Sequence, residues 1–396
     1  MKLNVAVFFG CRSVEHEVSI ISAVQAMRAM DREKYDITPV YVTKGGVMFS
    51  SDKMFEIESF RDLDKLLALS EEVTFIKRND GVFMQPVNKK AFKKAKETKI
   101  DLAFPIVHGT NCEDGTIAGY FEFLGLPYIS CDIISAAVGM DKAVFKDVLS
   151  AAGLPVLDCV RFTAREYMIN SADIAEKIKT RVGFPLIVKP INLGSSVGIS
   201  KVKTEQELDE AIRLAASFAD KILAERAVEN LREINCSVLG DCDECKASVC
   251  EEPFMHDEIL SYKDKYEGGA KEGPSKGMAS LGRKIPADIP EELSEKIRDI
   301  SCKIFKAIGA SGVVRIDYLL DNKTGEVYAN EINTVPGSLA FYLWEATGIK
   351  YRELIDKLVD TAFRRERKRE NLKFTIDTNI LSGVSFGSKG SKGSKF

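Results

Sequence analysis

Short apolar segments alternate with helical stretches along most of the chain, and this alternation restricts the fold more than any other feature of the sequence. The first apolar segment, 5–9, ends at Gly10, and apolar residues then recur at helical spacing over 17–30. Later apolar segments lie at 102–107, 186–188, 313–320 and 326–332, and the main helical stretches lie at 136–152 and 205–219. The pattern predicts an α/β protein with mixed sheets.

Length, charge and cysteine content narrow the class of protein. A chain of 396 residues is long enough for two or three domains. Its 59 acidic and 56 basic residues give a net charge of -3, which provides no attraction for nucleic acid or an anionic membrane. No apolar run approaches the roughly 18 residues of a membrane helix, and an odd cysteine count in a long chain favours reduced thiols. The sequence therefore predicts a cytoplasmic protein without a membrane or nucleic-acid partner.

Three segments stand out by composition. Residues 261–284 are rich in Gly, Lys and Ser and lack helical or strand periodicity, which predicts a long mobile loop of the kind that often forms a lid. The tail, 381–396, contains three Gly-Ser-Lys repeats, which are typical of a flexible linker or a cloning remnant. The basic run 364–369 closes a predicted helix, and we interpret it as a solvated helix end.

The stretch VVRIDYLLDNKTGEVYANEIN contains two strand patterns joined by a turn, which predicts a hairpin. Side chains alternate across a strand, so Arg315 and Asp317 share one face, and Glu331 and Asn333 share one face of the partner strand. Two carboxylates and an amide form an incomplete oxygen shell, as expected for Mg²⁺ completed by water and phosphate. The alternative is a solvated face with a cross-strand ion pair.

Two further features of this region indicate how it could act. The arginine could neutralise a substrate carboxylate or a developing oxyanion. The sequence NEIN continues into a turn over 334–337, which brings backbone N–H groups close to the same place.

A second signal is FPLIVKPINLGSSVGIS, where a buried strand ends at Lys189 and a glycine-containing loop follows. Glycine lets backbone amides approach phosphate oxygens, and lysine adds a point charge. The alternative is an ordinary Gly-Ser turn. The segment contains neither the phosphate loop pattern G-x-x-x-x-G-K-[ST] nor the dinucleotide pattern G-x-G-x-x-G.

Polar residues also follow two predicted strands of the N-terminal region. The segment 108–116, HGTNCEDGT, comes after one strand, and Glu15, His16 and Glu17 come after the first. Open α/β sheets usually bind ligands beyond the carboxyl ends of their strands. A lone His or Glu at a helix start is more often structural, so these positions carry weight only together.

Four cysteines lie close together in the sequence, at 236, 242, 245 and 250. Their spacing, C-x5-C-x2-C-x4-C, matches no usual zinc ribbon, and a strand-turn-strand structure accounts for the region. Metal binding by this cluster stays open at this point.

Taken jointly, these motifs resemble the ATP-grasp superfamily, and specifically the D-alanine:D-alanine ligases of peptidoglycan synthesis. The resemblance runs from residue 1 to about 363. It rests on VAVFFGCRSVEHEVSIISA, PIVHGTNCEDGTIAGYFEFLGLPYIS, MDK, VKPINLGSSVGISKV, YKDKY, and RIDYLL followed by NEINTVPG, all in the family order.

The resemblance implies three domains. These are an N-terminal α/β domain with a parallel sheet on the first-substrate side (1–130), a central ATP-grasp lobe (131–225), and a C-terminal lobe (226–380) that contains the mobile loop. It also implies ATP and two Mg²⁺ ions as cofactors, with Mn²⁺ as a substitute, amino acids as the other small-molecule partners, and a homodimer.

The resemblance further implies a role for each site residue. Nucleotide phosphates would contact Lys142, Lys189, Ser195 and Ser196, and the hinge that holds adenine and ribose would comprise Glu225, Ala227, Val228 and Glu233. The metal ligands would be Asp317, Glu331 and Asn333. Glu15 would bind the ammonium of the first D-alanine, linked to Ser195 and Tyr266, with His108 beside its carboxylate. Arg315 and the Gly337 amide would form the oxyanion hole, and Lys265 would face the transferred phosphate.

The chain departs from the family pattern at three places. Cys112 stands where the family usually has Gly, and Arg226 where it often has Lys. After NTVPG the chain reads SLAFYLWEATG, about four residues shorter than the usual segment, whose serine helps hold the second amino acid. Tyr266 favours a D-alanine acceptor over D-lactate. The alternatives are a ligase with a different second amino acid and a nucleotide-binding relative that has lost its chemistry.

Overall fold

The computed structural model describes residues 2–88, 97–194, 197–253 and 282–384, and its strands form three sheets in chain order. The predicted α/β class with mixed sheets is confirmed. Within the described ranges, no helix combines the length and the apolar character needed to cross a membrane. The nine cysteines are free thiols.

The first sheet has seven strands in the order β6-β5-β4-β3-β2-β1-β7. Its strands are β1 (Leu3–Gly10), β2 (Tyr35–Val42), β3 (Met48–Ser50), β4 (Glu71–Arg78), β5 (Gly81–Pro86), β6 (Thr98–Ile100) and β7 (Leu102–Pro105). Only the pairs of β1 with β2 and β7 are parallel, so the expected parallel sheet is limited to these three strands at one end of the sheet. The helices of this region are α1 (His16–Ala29), α2 (Leu63–Ala68) and α3 (Thr116–Leu124), and 3-10 turns lie at Asp52–Phe55 and Ile57–Arg61.

The second sheet has four antiparallel strands in the order β10-β9-β11-β8. They are β8 (Cys159–Thr163), β9 (Leu186–Pro190), β10 (Ser200–Val202) and β11 (Lys221–Arg226). The helices before and around it are α4 (Ile133–Met140), α5 (Lys142–Ala151), α6 (Ala164–Ile169), α7 (Ser171–Arg181) and α8 (Leu208–Ala216), with a 3-10 turn at Glu205–Glu207.

The third sheet has five antiparallel strands in the order β14-β13-β12-β15-β16. They are β12 (Leu231–Gly240), β13 (Cys245–Pro253), β14 (Arg283–Lys284), β15 (Gly312–Asp321) and β16 (Val327–Asn333). The remaining helices are α9 (Glu291–Ala307), α10 (Phe341–Ala346) and α11 (Tyr351–Glu370), with 3-10 turns at Gly337–Ala340 and Ile380–Gly383.

The helical stretches differ from the prediction in two places. The stretch 136–152 is two helices, because the Asp141 side chain accepts hydrogen bonds from the N–H groups of Ala143 and Val144 at 3.1 Å and starts a new helix there. The stretch 205–219 contains a 3-10 turn and a helix that ends at Ala216. The first break matters for the site, because it makes Lys142 the first residue of α5.

The hydrophobic cores join elements that are distant in sequence. Phe145 and Leu149 of α5 pack in the core of the third sheet, with Ile316 and Ile332. Helix α11 follows the third sheet in the chain but packs in the core of the first sheet. The packing of α11 therefore joins the first and third sheets, around the site that is described below.

The basic run 364–369 is not simply a solvated helix end. Arg365 donates to the carbonyls of Ser130, at 2.6 Å, and Tyr128, at 2.5 Å. Arg364 pairs with Asp241 at 3.2 Å. The run therefore links the junction after α3 to the turn of the third sheet, a role that charge composition alone does not indicate.

Candidate active site

The hairpin of β15 and β16 brings the predicted oxygen ligands together. Arg315 pairs with Asn333 and Asp317 pairs with Glu331 in the strand register, so all four residues lie on one face, as predicted. Arg315 donates from Nε and Nη2 to the two oxygens of Asp317, each at 2.7 Å, and Asn333 Nδ2 donates to Asp317 Oδ2 at 3.0 Å. Burial lowers the pKa of Arg315, but the charge of Asp317 outweighs it and the pKa rises well above the usual value.

A cavity of about 240 Å³ lies between the second and third sheets and reaches this hairpin. Six residues predicted to hold the nucleotide line it: Lys142, Lys189, Glu225, Ala227, Val228 and Glu233. Asp317 and Glu331 line it as well. The structure therefore places these six residues and two of the three predicted metal ligands around one space.

Lys142 links the glycine loop to the hairpin. Its Nζ donates to the carbonyl of Leu193 at 2.8 Å and lies 3.1 Å from Glu331 Oε2. The lysine is buried and lines the cavity. The positive charge of Lys142 favours the binding of an anionic ligand in the cavity. Such a ligand would also lie next to the carboxylates of the hairpin.

Glu225 is buried with two lysines. Lys146 Nζ lies 2.8 Å from Glu225 Oε2, and Lys189 Nζ contacts Oε1. Lys189 also donates to Asn330 Oδ1 at 2.8 Å. Burial by itself raises the pKa of Glu225, but the two lysines lower it to about 2, so the carboxylate is ionised at neutral pH.

Sequence reasoning missed Lys146 and Asn330. Lys146 lies one helical turn after Lys142, so the i, i+4 spacing could have indicated that both lysines lie on the same side of α5. Asn330 has no local signal, because its hydrogen bond from Lys189 joins residues that are 141 positions apart in the sequence.

Glu15 and His108 lie together at the carboxyl ends of β1 and β7. Gly109 has a φ of +72°, and a Cβ at this position would lie 2.9 Å from Glu15 Oε2. Glycine is therefore needed there, because it gives the Glu15 carboxylate room beside the loop. Ser13 Oγ donates to the His108 carbonyl at 2.7 Å and accepts from the Glu15 N–H at 3.1 Å.

The imidazole of His108 is neutral and connects two parts of the site. Its Nδ1 donates to the Val335 carbonyl at 2.8 Å, and its Nε2 lies 2.8 Å from Ser22 Oγ. Ser22 Oγ also accepts from the Ser338 N–H at 3.0 Å, and when its own proton points to Nε2 the ring is neutral with its single proton on Nδ1. Burial lowers the pKa of His108, in agreement with this assignment.

The turn after Gly337 has an unusual backbone. Ser338, Leu339 and Ala340 have φ values of 51°, 55° and 50°, in the left-handed region that side chains disfavour. Ser338 Oγ donates to Gln25 Oε1 at 2.7 Å, and this hydrogen bond attaches the turn to helix α1. The shortened segment is thus a buried left-handed turn.

Glu113 connects the loop after β7 to the end of β16. Its Oε2 accepts from the Gly109 N–H at 2.7 Å, and its Oε1 accepts from the Val335 N–H at 2.9 Å. Burial, with the neighbouring Glu15 charge, raises the pKa of Glu113 to about 8. The sequence places this residue within a motif but indicates no role for it.

Four predicted site residues lie outside the described residues: Ser195, Ser196, Lys265 and Tyr266. Most of the predicted mobile loop and of the tail lie outside them as well. The roles of these residues stay predictions.

The cysteine cluster has the predicted strand-turn-strand structure. Cys236 and Cys250 face each other in the ladder of β12 and β13 and are buried, and Cys242 is exposed in the turn. Over the described part of the chain, no group of three or more His, Cys, Asp or Glu residues is arranged to hold a metal ion. The hairpin site has two carboxylates, so a metal there needs further ligands from outside the protein.

Comparison with known proteins agrees with this architecture. Residues 4–131 match the family profile described as D-ala D-ala ligase N-terminus, and residues 148–360 match the D-ala D-ala ligase C-terminus. The chain is 40% identical to the D-alanine–D-alanine ligase of Acetivibrio thermocellus and 37% identical to that of Thermosipho melanesiensis. These alignments cover 94% and 96% of this chain and 98% of each relative.

Solved structures show the same fold. The D-alanine-D-alanine ligase of Coxiella burnetii superposes with a TM-score of 0.78 at 28% identity, over 93% of this chain and 96% of that one. The VanG D-Ala:D-Ser ligase of Enterococcus faecalis gives a TM-score of 0.73 at 29% identity, over 91% and 100%. The fold and site define a three-domain ATP-grasp protein. Within that class, the chain belongs to the D-alanine–D-alanine ligase family.

Proposed function

We propose that this protein is an ATP-dependent ligase that joins two D-alanines, through a D-alanyl phosphate, into D-Ala-D-Ala for peptidoglycan synthesis. The observation that carries the proposal is the shared face of Arg315, Asp317, Glu331 and Asn333 at the edge of a cavity lined by Lys142 and Lys189. The alternative for this hairpin, a solvated face with a cross-strand ion pair, does not explain why these side chains lie beside a cavity. Family membership over nearly the full chain supports the same reaction.

The nucleotide would lie in the cavity. Lys142 and Lys189 would offset phosphate charge, together with Ser195 and Ser196 of the glycine loop. The buried hinge residues Ala227 and Val228, with Glu225 and Glu233, would hold adenine and ribose.

The hairpin fits magnesium. Asp317, Glu331 and Asn333 offer oxygens on one face, and their shell is incomplete, as a metal bound through phosphate and water requires. We propose two Mg²⁺ ions there, with Mn²⁺ as a substitute; when bound, they would neutralise charge on the transferred phosphoryl group. Arg315 and Asn333 now donate to Asp317, so these two side chains would have to reorient when the carboxylate binds a cation.

The chemistry follows from the weakness of a carboxylate as an acyl donor. Phosphorylation by ATP gives D-alanyl phosphate, from which phosphate can leave when an amine attacks. Glu15 would hold the ammonium of the first D-alanine, linked to Ser195 and Tyr266, and His108 would lie near its carboxylate. Arg315 and the Gly337 amide would stabilise the tetrahedral oxyanion, and Lys265 would face the transferred phosphate.

The test is the reaction itself. Purified protein with ATP, Mg²⁺ and D-alanine is expected to release phosphate only when D-alanine is present and to form a dipeptide that mass spectrometry detects. ATP turnover that is indifferent to D-alanine would contradict the proposal.

The second candidate is an ATP-grasp ligase that uses a different second amino acid. The left-handed turn favours it, because this segment is short and its Ser338 hydroxyl is bound to Gln25. A panel of D- and L-amino acids separates the two candidates, and formation of D-Ala-D-Ala alone would remove this one.

Glu331→Gln is expected to weaken metal binding. Losing one of two carboxylates should raise the Mg²⁺ concentration for half-maximal ATP turnover by at least about tenfold. Glu326→Gln is the matched control, because Glu326 lies at the other end of the hairpin and accepts from Tyr328 at 2.6 Å. An unchanged magnesium titration for Glu331→Gln would remove this residue from the metal site.

We further propose the cellular setting that the sequence predicted. The protein would act in the cytoplasm as a homodimer, on small molecules and without nucleic acid or membrane partners. Its domains would divide at about 130 and 225, with a C-terminal lobe extending to about 380.

A further inference from the structure

Two cysteines face each other on the core side of the third sheet. Cys236 on β12 is directly paired with Cys250 on β13, and the two residues are 0% and 1% exposed. Directly paired residues project to the same face of a sheet, and their Cα atoms lie about 4.5 or 5.5 Å apart. Disulfides join Cα atoms that are about 4.4 to 6.8 Å apart, so the backbone at this pair already suits a disulfide.

The two thiols have different surroundings. Cys236 Sγ lies 3.7 Å from the carbonyls of Ser237 and Ser248, which are acceptors for its proton. Ser294 of α9 donates from Oγ to Cys250 Sγ at 3.9 Å. A hydrogen bond from Cys236 lowers the pKa of Cys250, with help from Ser294, although burial opposes this shift. The contact with Cys250, together with burial, raises the pKa of Cys236. Cys250 is therefore the more nucleophilic thiol, and Cys236 is placed to react second.

Cys250 lies just below the protein surface. Ser294, which contacts its sulfur, is half-buried in the first turn of α9. Arg298 lies one helical turn further along α9, and its buried Nε donates to no described residue. The charge of Arg298 also contributes to the lowered pKa of Cys250. A small hydroperoxide that passes Ser294 therefore meets a thiol that loses its proton readily, next to a cation that stabilises an oxygen added to the sulfur.

The strand ladder beside this pair is irregular. Its register shifts between Cys236 and Val238, and the Ser237 N–H donates to Ser248 Oγ at 3.0 Å instead of to a carbonyl. Paired Cβ atoms usually lie about 4.5 to 5.5 Å apart, whereas a disulfide needs about 3.8 Å. A disulfide would therefore draw β12 and β13 together by about 1 Å, next to the point where their ladder is already interrupted.

The residues next to the two cysteines connect the pair to the candidate active site. Asn235 precedes Cys236 and Glu251 follows Cys250, so both project to the opposite face of the sheet. They are paired with each other, and Asn235 Nδ2 donates to Glu251 Oε1 at 3.1 Å. Asn235 is also paired with Asp317, a proposed metal ligand. Movement of β12 at the cysteine pair therefore also displaces the backbone beside Asp317.

We infer that Cys236 and Cys250 are a modification site, at which a hydroperoxide forms a reversible disulfide that lowers turnover. The effect on turnover rests on the proposed function. In the first step the Cys250 sulfur attacks hydrogen peroxide. The S–O bond forms, the O–O bond breaks, and the departing hydroxide leaves with the Cys250 proton as water. The Cys236 sulfur then attacks Cys250. The S–S bond forms, the S–O bond breaks, and hydroxide leaves with the Cys236 proton as a second water. The two sulfurs together lose two electrons, which the peroxide gains.

The experiment uses the full chain, treated with hydrogen peroxide that is then removed. Digestion without reductant is expected to give two peptides joined through Cys236 and Cys250, which mass spectrometry detects. Phosphate release that depends on D-alanine is expected to fall by about 10- to 100-fold, because a displacement of about 1 Å can cost a site that much. Dithiothreitol is expected to remove the link and restore the rate of the untreated protein.

Variants separate this pair from the other thiols. Cys236→Ala and Cys250→Ala each leave a single thiol, so no disulfide can form there and turnover should resist peroxide. Cys236→Ser, which nearly conserves the volume of the side chain, replaces an alanine variant that fails to fold. Cys242→Ser is the matched control, because Cys242 is an exposed thiol in the turn of the same hairpin. This control is expected to lose turnover in peroxide as the wild type does.

Each result decides between the proposals. Oxidised protein without the link between Cys236 and Cys250 would overturn the inference. A link from Cys245 to Cys302 in its place would do the same, since Cys245 Sγ lies 4.0 Å from the Cys302 carbonyl. So would a link that leaves turnover unchanged, or an equal loss of turnover in Cys236→Ala. Reduced wild-type protein without turnover that depends on D-alanine would overturn the proposed function, and the peptide analysis would then test the disulfide by itself.

Discussion

Replacing Arg315 with Ala is expected to lower kcat for D-alanine ligation by about 10² to 10³, the usual effect of removing one oxyanion donor. Arg315 lies on the hairpin near Tyr342 with 13% of its side chain exposed, and Asp317 holds its guanidinium through two hydrogen bonds of 2.7 Å. Asp317 therefore keeps the guanidinium beside the site until that carboxylate binds a cation, and water that fills the space beside an alanine cannot supply the same charged N–H donor. The measurement is kcat at saturating ATP, D-alanine and Mg²⁺.

Two variants make this result specific. Arg232→Ala removes an arginine with an equally close carboxylate partner, Glu252, on the opposite face of the sheet, and is expected to keep wild-type turnover. Arg315→Lys keeps the charge but loses the planar fork, so its kcat should fall between those of wild type and Arg315→Ala. A magnesium titration of Arg315→Ala tests whether the loss comes from Asp317 instead. Turnover near the wild-type value would refute the oxyanion role.

The hairpin site was predictable from sequence because its information is local. Strand alternation places Arg315 with Asp317 and Glu331 with Asn333, but the pairing of these two sets depends on a register shift between Asp317 and Tyr318, which the sequence does not indicate. A register error of one residue would have turned one set of side chains to the other face. Asp317 pairs with Glu331 in the structure, so their side chains lie on one face of the hairpin.

The contacts between distant segments were not predictable in this way. Glu113 accepts from Val335 across 222 positions, and the Ser338 N–H donates to Ser22 across 316. No local periodicity carries such information, because these contacts exist only once the first and third sheets have packed together. The resemblance supplied the identity of His108 as a site residue, but not its two protein partners.

The left-handed turn shows tertiary contacts overriding local preference. Nothing in the sequence Ser-Leu-Ala favours positive φ, which costs roughly 1 to 2 kcal/mol per residue for L-amino acids. Burial of all three residues and the bond from Ser338 to Gln25 offset that cost. Sequence could therefore identify the segment as short but not describe its shape.

Glu225→Gln is expected to destabilise the protein by about 3 to 5 kcal/mol at pH 7, the usual result of breaking a buried ion pair. The change leaves the ammonium groups of Lys146 and Lys189 buried without their shared carboxylate. The measurement is the free energy of unfolding from urea denaturation. Glu205→Gln is the matched control, because its pair with Lys179 at 3.1 Å is exposed and should contribute no more than about 1 kcal/mol.

The pH dependence identifies the charge of Glu225 as the cause. The pKa of this carboxyl is lowered from its ordinary value of 4.5 to about 2 in the folded protein, so its ionised form stabilises the fold fully above pH 4.5. That stabilisation is lost as pH falls from 4.5 toward about 2, where folded and unfolded carboxyls are both protonated. Glutamine does not titrate and resembles the protonated acid. The difference in unfolding free energy between wild type and Glu225→Gln should therefore be constant from about pH 7 to 5 and shrink below pH 4.5 while the wild type remains folded. A difference that stays constant in acid would show that shape, not charge, holds this residue in place.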